Sequence, residues 1–197
     1  MLEFKIIALG DQNVGKTSIS QRYTLDKFEE TMSTIGSSFS SKEHTLTNGK
    51  KVKLKLVDTG GEEKYRSLGN SYYRNADGVL FVFAHNDRES FENIENWVNL
   101  FDKNSNNKEI PKFLIGNKND LEKFSEENSF IDFIKGQNIL RYISTSAKDN
   151  ININEMFKEL ADIIDSKYNK SFKQNTKQLQ PIKKKEKPKC SPCFREI

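Results

Sequence analysis

Gly10-Asp11-Gln12-Asn13-Val14-Gly15-Lys16-Thr17 decides how the rest of the chain is read. These eight residues fit G-x-x-x-x-G-K-[ST], and their flanks suit that pattern. Before them, Glu3–Leu9 (E-F-K-I-I-A-L) reads as a mostly apolar strand; after them a helix is expected over Lys16–Leu25. A glycine-bracketed loop between strand and helix turns successive backbone N–H groups inward and adds the positive end of the helix dipole. That cup suits a polyphosphate lined by Gln12, Asn13, Val14, Gly15 and Ser18. The Lys16 ammonium can reach β- and γ-phosphates, and the Thr17 hydroxyl can ligate Mg²⁺.

The loop does not name a base; a downstream stretch does. Phe113-Leu114-Ile115-Gly116 reads as a buried strand, with Asn117-Lys118-Asn119-Asp120 at its carboxyl end. The Asp120 carboxylate can accept from guanine N1–H and the 2-amino group, whereas adenine would leave it desolvated and unpaired. Asn117 can bridge to the phosphate loop, and the Lys118 stem can lie along the purine plane. Ser144-Thr145-Ser146-Ala147-Lys148 follows an expected strand Leu140–Ile143, and its backbone N–H groups can meet guanine O6.

With these residues in place, the sequence resembles the small GTPases of the Ras superfamily, and within them the Rab family, from about residue 2 to residue 168. Thr34-Ile35-Gly36-Ser37-Ser38-Phe39 resembles the Rab switch I segment T-I-G-x-x-F. Asp58-Thr59-Gly60-Gly61-Glu62-Glu63 resembles the switch II segment D-T-A-G-Q-E. Tyr65-Arg66-Ser67-Leu68 and Ser71-Tyr72-Tyr73-Arg74-Asn75-Ala76 are similar to Rab stretches that separate this family from Ras, Rho, Ran and Arf relatives.

The resemblance implies a GTP/GDP switch that hydrolyses GTP, with Mg²⁺ held by Thr17, Thr34 and, through a water, Asp58. The Gly61 N–H would contact the γ-phosphate beside Lys16, so Thr34 and Gly61 would be two restraints released on hydrolysis. Phe28 takes the place of the aromatic that packs on guanine. Implied partners are an exchange factor, an activating protein, a dissociation inhibitor and GTP-dependent effectors in vesicle trafficking. The protein would act as a monomer on the cytoplasmic face of intracellular membranes, cycling with the cytosol.

Four departures qualify the resemblance. Glu62 stands where the family places its catalytic Gln; a carboxylate accepts from the attacking water but cannot donate. At roughly 6 Å and an effective dielectric of about 20, its repulsion of the γ-phosphate is on the order of 3 kcal/mol. That would slow hydrolysis about a hundredfold if it opposed the transition state in full. A GTP-binding scaffold with negligible hydrolysis is the second reading. Asn13 replaces a loop Gly, at a position where Asn tolerates positive φ. Gly60 replaces Ala, loosening the start of switch II. Val57 replaces the Trp of the interswitch surface, where with Phe39 and Tyr72 it would occupy the place of the family's effector-reading aromatic triad.

Length and charge agree with one domain plus a tail. The 197 residues carry 11% aromatic and 30% charged residues, enough for a real core in one α/β domain. Residues 181–197 hold six Lys/Arg and two Asp/Glu, so the remaining 26 and 26 leave the body formally neutral. A neutral body argues against a nucleic-acid face. The expected division is a GTPase domain over 1–168 and a flexible basic tail over 169–197. Cys190 and Cys193 beside Lys183-Lys184-Lys185 suggest Rab-like double prenylation, although the ending Cys193-Phe194-Arg195-Glu196-Ile197 is not C-a-a-X. No signal peptide or bilayer-length apolar run is expected.

The expected fold is a three-layer α/β sandwich, a mostly parallel six-stranded sheet with one antiparallel strand and helices on both faces. Phe39–Leu46 and Lys51–Val57 flank an Asn48-Gly49 hairpin turn, and Gly78–Ala84 is a short apolar strand. Phe91, Ile94, Val98 and Phe101 recur at helical spacing, with Trp97 packing beside them. A short helix is expected over Ser129–Lys135, and a final one presents Ile153, Met156, Phe157, Leu160 and Ile164 on one face. His44 and His85 are expected as ordinary surface or loop residues.

Overall fold

Alternation within the strands explains why this sheet needs helices on both sides. In the strand that precedes the phosphate loop, Phe4 and Ile6 turn to one core while Ile7 and Leu9 turn to the other. Leu80 and Val82 against Val79 and Phe81, and Phe113 and Ile115 against Leu114, repeat the split. Successive side chains on a strand point to opposite faces, so a run apolar at every position must be covered twice.

The structure is a computed structural model and describes residues 1–29, 37–60, 73–124 and 127–178. Its strands are β1 (Leu2–Leu9), β2 (Ser37–Thr45), β3 (Lys51–Thr59), β4 (Gly78–Ala84), β5 (Lys112–Asn117) and β6 (Arg141–Ser144). Its helices are α1 (Lys16–Leu25), α2 (Arg88–Glu92), α3 (Ile94–Asn104), α4 (Glu127–Gly136) and α5 (Ile153–Gln178). The sheet order is β2-β3-β1-β4-β5-β6. The β2–β3 pairing is antiparallel and every other pairing is parallel, as the sequence implies. Ile19 and Tyr23 of α1 join Met156, Phe157 and Leu160 of α5 on one face. Trp97, Val98 and Phe101 of α3 and Phe130 of α4 cover the other.

Several boundaries move. The stripe from Phe91 to Phe101 divides at Asn93, which caps α2 and opens α3. The last strand starts one residue later than expected, because Leu140 gives its N–H to the Lys112 carbonyl before the strand begins and stays half exposed. The final helix continues past residue 168 to Gln178. In the hairpin, Leu46 N–H reaches the Lys50 carbonyl at 2.9 Å.

Two expected placements are corrected. His85 is fully buried, because it immediately follows β4, where the chain runs beneath the β5–β6 edge among Phe83, Phe130 and Tyr142. His44, half buried in β2, accepts or donates at 2.9 Å with the Tyr23 hydroxyl. Val57 is buried at 1% exposure while its register partner Phe39 stands out at 66%. The short branched side chain packs with Ile7 and Leu9 and leaves the outer surface to the longer ring.

α5 is also tied to the β2–β3 hairpin by charge. Asp162 accepts from the Thr47 backbone N–H at 2.9 Å and from its hydroxyl at 2.5 Å. Asp165 accepts from Lys50 Nζ at 2.6 Å and Asn48 Nδ2 at 3.2 Å.

Candidate functional site

The carboxyl ends of β1, β5 and β6 bring the phosphate-loop residues and both base loops to one edge of the sheet. The phosphate loop takes its form from three residues of positive φ: Gly10 at 151°, Asn13 at 62° and Gly15 at 95°. Asn13 therefore adopts the conformation for which its short polar side chain is suited. At Gly15 a side chain is excluded twice, by φ and because a Cβ would sit 2.3 Å from Asn117 Nδ2. Val14 is buried and its carbonyl accepts from Asn117 Nδ2 at 2.9 Å, the bridge expected from the sequence.

Lys16 folds over the loop. Its Nζ donates to the carbonyls of Gly10 at 3.0 Å and Asp11 at 2.6 Å. Burial pushes its ammonium down to about 8, against the opposing pull of Asp58 and Asp11. A cation held on two carbonyls in a dry site is poised for a stronger anion.

Thr17 Oγ1 donates to Asp58 Oδ2 at 2.6 Å, and Ser38 Oγ lies 3.4 Å from the same oxygen. The other oxygen, Oδ1, is buried and has no hydrogen-bond partner among the described residues. Burial pushes the Asp58 carboxyl up, while Thr17, Lys16 and Ser38 hold it down. An acceptor buried without a donor is costly. A hydrated divalent cation would satisfy it, and Thr17 can ligate through its lone pairs while still donating to Asp58. Thr17 and Asp58 thus fit Mg²⁺. The remaining expected ligand, Thr34, lies outside the described residues, as do Gly61, Glu62, Cys190 and Cys193.

The base loops are braced against each other. Asn117 Oδ1 lies 3.3 Å from both Thr145 Oγ1 and the Ala147 N–H. Asn119 N–H donates to the Thr145 carbonyl at 3.0 Å. Ser146 Oγ donates to Asp120 Oδ1 at 2.7 Å, and Lys148 Nζ stands 4.0 Å from Asp120 Oδ2. This aims the carboxylate while leaving lone pairs on each oxygen. Lys118 sits at φ 60°. Of seven non-glycine residues with positive φ among the described ones, the other six are Asn or Asp. Lys118 alone lacks the short polar side chain that eases that conformation, the kind of local strain that gathers at binding sites. Phe28, just past α1, is 40% exposed.

Four residues of the surroundings escape motif reading. Arg22 of α1 donates to the Ala147 carbonyl at 2.8 Å and the Lys148 carbonyl at 3.1 Å, bracing the S-A-K loop from below. Trp97 does more than pack: its Nε1 donates to Asp11 Oδ1 at 2.7 Å, and Asn93 Nδ2 to Asp11 Oδ2 at 2.8 Å. His85, the fourth, is buried with its Nε2 2.9 Å from Ser144 Oγ. An acidic residue inside the loop and a tryptophan on the neighbouring helix were the available signals for one of these pairings, but spacing alone cannot join residues 86 positions apart.

A model of the Ras family matches residues 5–166. Ras-related protein Rab-13 of Bos taurus is 36% identical over 195 residues, covering 95% of this chain and 95% of its own. Ras-related protein Rab-10 of Diplobatis ommata is 40% identical over 165 residues, 83% of this chain and 82% of its own. Ras-related protein Rab-8A of Gallus gallus is 36% identical over 179 residues, 89% and 84% of the two chains. With a phosphate loop and the Asn117–Asp120 and Ser146–Lys148 loops gathered at one edge of a six-stranded sheet, and with these matches over most of its length, the chain belongs to the Ras family of P-loop GTPases, on its Rab branch.

Proposed function

We propose that the protein is a GTP/GDP switch of Rab type that hydrolyses GTP slowly and recruits effectors in membrane trafficking. The observation that carries this is Asn117, whose amide joins the Val14 carbonyl of the phosphate loop to Thr145 and Ala147 of the base loop. One side chain thereby sets the distance between a triphosphate cradle and an aimed Asp120. Lys16 exchanges two carbonyls for phosphate oxygens, and the backbone of Gln12 to Ser18 completes the cradle. Asp120 reads the purine, with Lys118, Phe28, Ser146, Ala147 and Lys148 around it. Thr17, Thr34 and, through a water, Asp58 would hold Mg²⁺, which would supply charge neutralisation to the phosphates.

Glu62 sets the rate in this reading. Without a side-chain amide to donate, the chain relies on Gly61 N–H and Lys16 for γ-phosphate charge, and turnover falls below the roughly 10⁻⁴ s⁻¹ scale of unassisted Ras. A Rab-type activating protein that brings its own donors restores hydrolysis. Single-turnover assays with and without such a protein test both points. Glu62→Gln is expected to raise the unassisted rate about tenfold to a hundredfold, the repulsion it removes; an unchanged rate would reject the role of Glu62.

Residues 1–168 would form the switch domain and the basic segment beyond it a tether, with Cys190 and Cys193 lipidated. Two chains, or one with the lysine run, are needed for lasting attachment to the cytoplasmic leaflet. Among the described residues no helix is long and apolar enough to cross a membrane. Protein isolated from its own cells is expected to show prenyl mass on these cysteines; bare thiols on both would reject lipidation. The exchange factor, dissociation inhibitor and effectors would be those that read Rab-type switches.

A further inference from the structure

His85 is a polar side chain at the bottom of the site, and its contacts converge on both base loops. Its backbone N–H donates to the Asn117 carbonyl at 2.8 Å, and its own carbonyl accepts from Phe124 N–H at 3.0 Å. It therefore ties down both ends of the segment that carries Asn117-Lys118-Asn119-Asp120. Its Nε2 lies 2.9 Å from Ser144 Oγ and 3.3 Å from the Tyr142 hydroxyl. Ser144 ends β6 and directly precedes Thr145-Ser146-Ala147-Lys148. The ring is fully buried, with Phe83 and Phe130 centroids at 5.4 and 5.6 Å. The fit is tight on the sheet side as well: a Cβ at Gly116 would lie 2.6 Å from His85 Nε2. Gly116 immediately precedes Asn117, so imidazole and backbone are packed together at the root of the base loop.

A buried imidazole in an aromatic cage is an expensive choice unless its nitrogen is needed. We infer that His85 is a positioning residue for purine recognition, fixing the spacing between the Asp120 loop and the Ser146–Lys148 loop through Ser144. It touches neither nucleotide nor phosphate; it sets where Asp120 and the S-A-K backbone stand relative to each other. This deepens, and rests on, the reading of the site as a guanine-nucleotide site.

A purely structural residue and a positioning residue differ in what their loss does to base discrimination. Inosine diphosphate lacks the 2-amino group, so it forgoes one of the two bonds that Asp120 can accept. If His85 aims Asp120, its loss weakens GDP more than IDP. His85→Phe keeps the ring packing and removes the nitrogen, whereas His85→Gln keeps a polar end near the Nε2 position. Release rates of fluorescent GDP and IDP, with melting temperatures, are to be measured on full-length protein.

His85→Phe is expected to speed GDP release about tenfold, equivalent to one hydrogen-bond network contact, and to shrink the GDP/IDP preference. His85→Gln should recover most of that preference. Ser144→Ala should move both readouts in the same direction, about threefold, and it decides the matter if His85→Phe does not fold. Unchanged preference in Ser144→Ala, or a lowered melting temperature in His85→Phe with preference intact, overturns the inference. A parent protein that does not prefer GDP to ADP overturns the guanine reading itself, and the inference with it.

Discussion

Lys16 donates to the Gly10 and Asp11 carbonyls, and burial holds its ammonium down to about 8. Phosphate oxygens in place of carbonyls favour the charged form, so binding GDP takes up a proton wherever the empty site is deprotonated. Affinity should fall about twofold from pH 7 to pH 8 and about fivefold more between pH 8 and pH 9. Equilibrium titration with fluorescent GDP checks this, and Lys16→Arg, which does not titrate there, should give a flat profile. The same depressed value makes the nucleotide-free fold gain stability as pH rises from about 8 towards 10.5, since the unfolded chain binds the proton more tightly. At this scale the sequence was generous: Asn13 in a left-handed turn and Asn117 on the Val14 carbonyl both follow from side-chain chemistry at known spacing. His85 was not legible. An isolated histidine after an apolar strand carries no periodic signal that distinguishes a surface turn from the root of a neighbouring loop.

The elements around the site followed hydrophobic period, and their ends followed contacts that period does not encode. β4 matches its expected bounds because apolar content rises abruptly after Asp77, and α1 matches because the phosphate-loop motif places a helix directly after Gly15. The split at Asn93 depends on that residue's backbone N–H and side chain serving α2 and Asp11, a tertiary demand. The Asp162 and Asp165 clamp on the β2–β3 hairpin was equally hidden, since it joins residues 115 and 117 positions apart. For Asp165, burial acts upward, but bonds from Lys50, Asn48 and Asn169 hold its carboxyl below the usual range. A depressed carboxyl contributes stability above its unfolded value, lost as pH falls through the folded one. Acid melting of the parent should therefore include this clamp below about pH 4, the ordinary carboxylate value. Asp165→Asn should melt lower than the parent at pH 7 and show a shallower decline on acidification. Thermal melts at pH 7 and pH 3 decide it; parallel curves would mean the clamp contributes nothing.

Across the whole molecule, two cores share one sheet, and the site sits where the strands of both run out. α5 closes one core through Met156, Phe157 and Leu160 and clamps the hairpin through its acids. α3 closes the other through Trp97 and Phe101. The charge contrast along the chain, formally neutral over residues 1–180 and +4 over 181–197, is read from the sequence alone, because net charge needs no geometry. The continuation of α5 to Gln178 needs more than apolar periodicity, since helical backbone can persist on intrinsic propensity once a packed segment has started it.

Trp97 is the chain's single tryptophan, and its indole N–H is held by Asp11 inside the phosphate loop. The protein therefore carries its own optical gauge, placed by the fold on the one loop that must respond to phosphate. Chelating magnesium with EDTA and removing nucleotide should shift the intrinsic emission, and adding GDP back should reverse it without any dye. Asp11→Asn, which leaves the ring in its core but weakens its bond, should flatten that response, whereas an identical shift in the variant would place the signal elsewhere. Exchange could then be followed in unlabelled protein in real time.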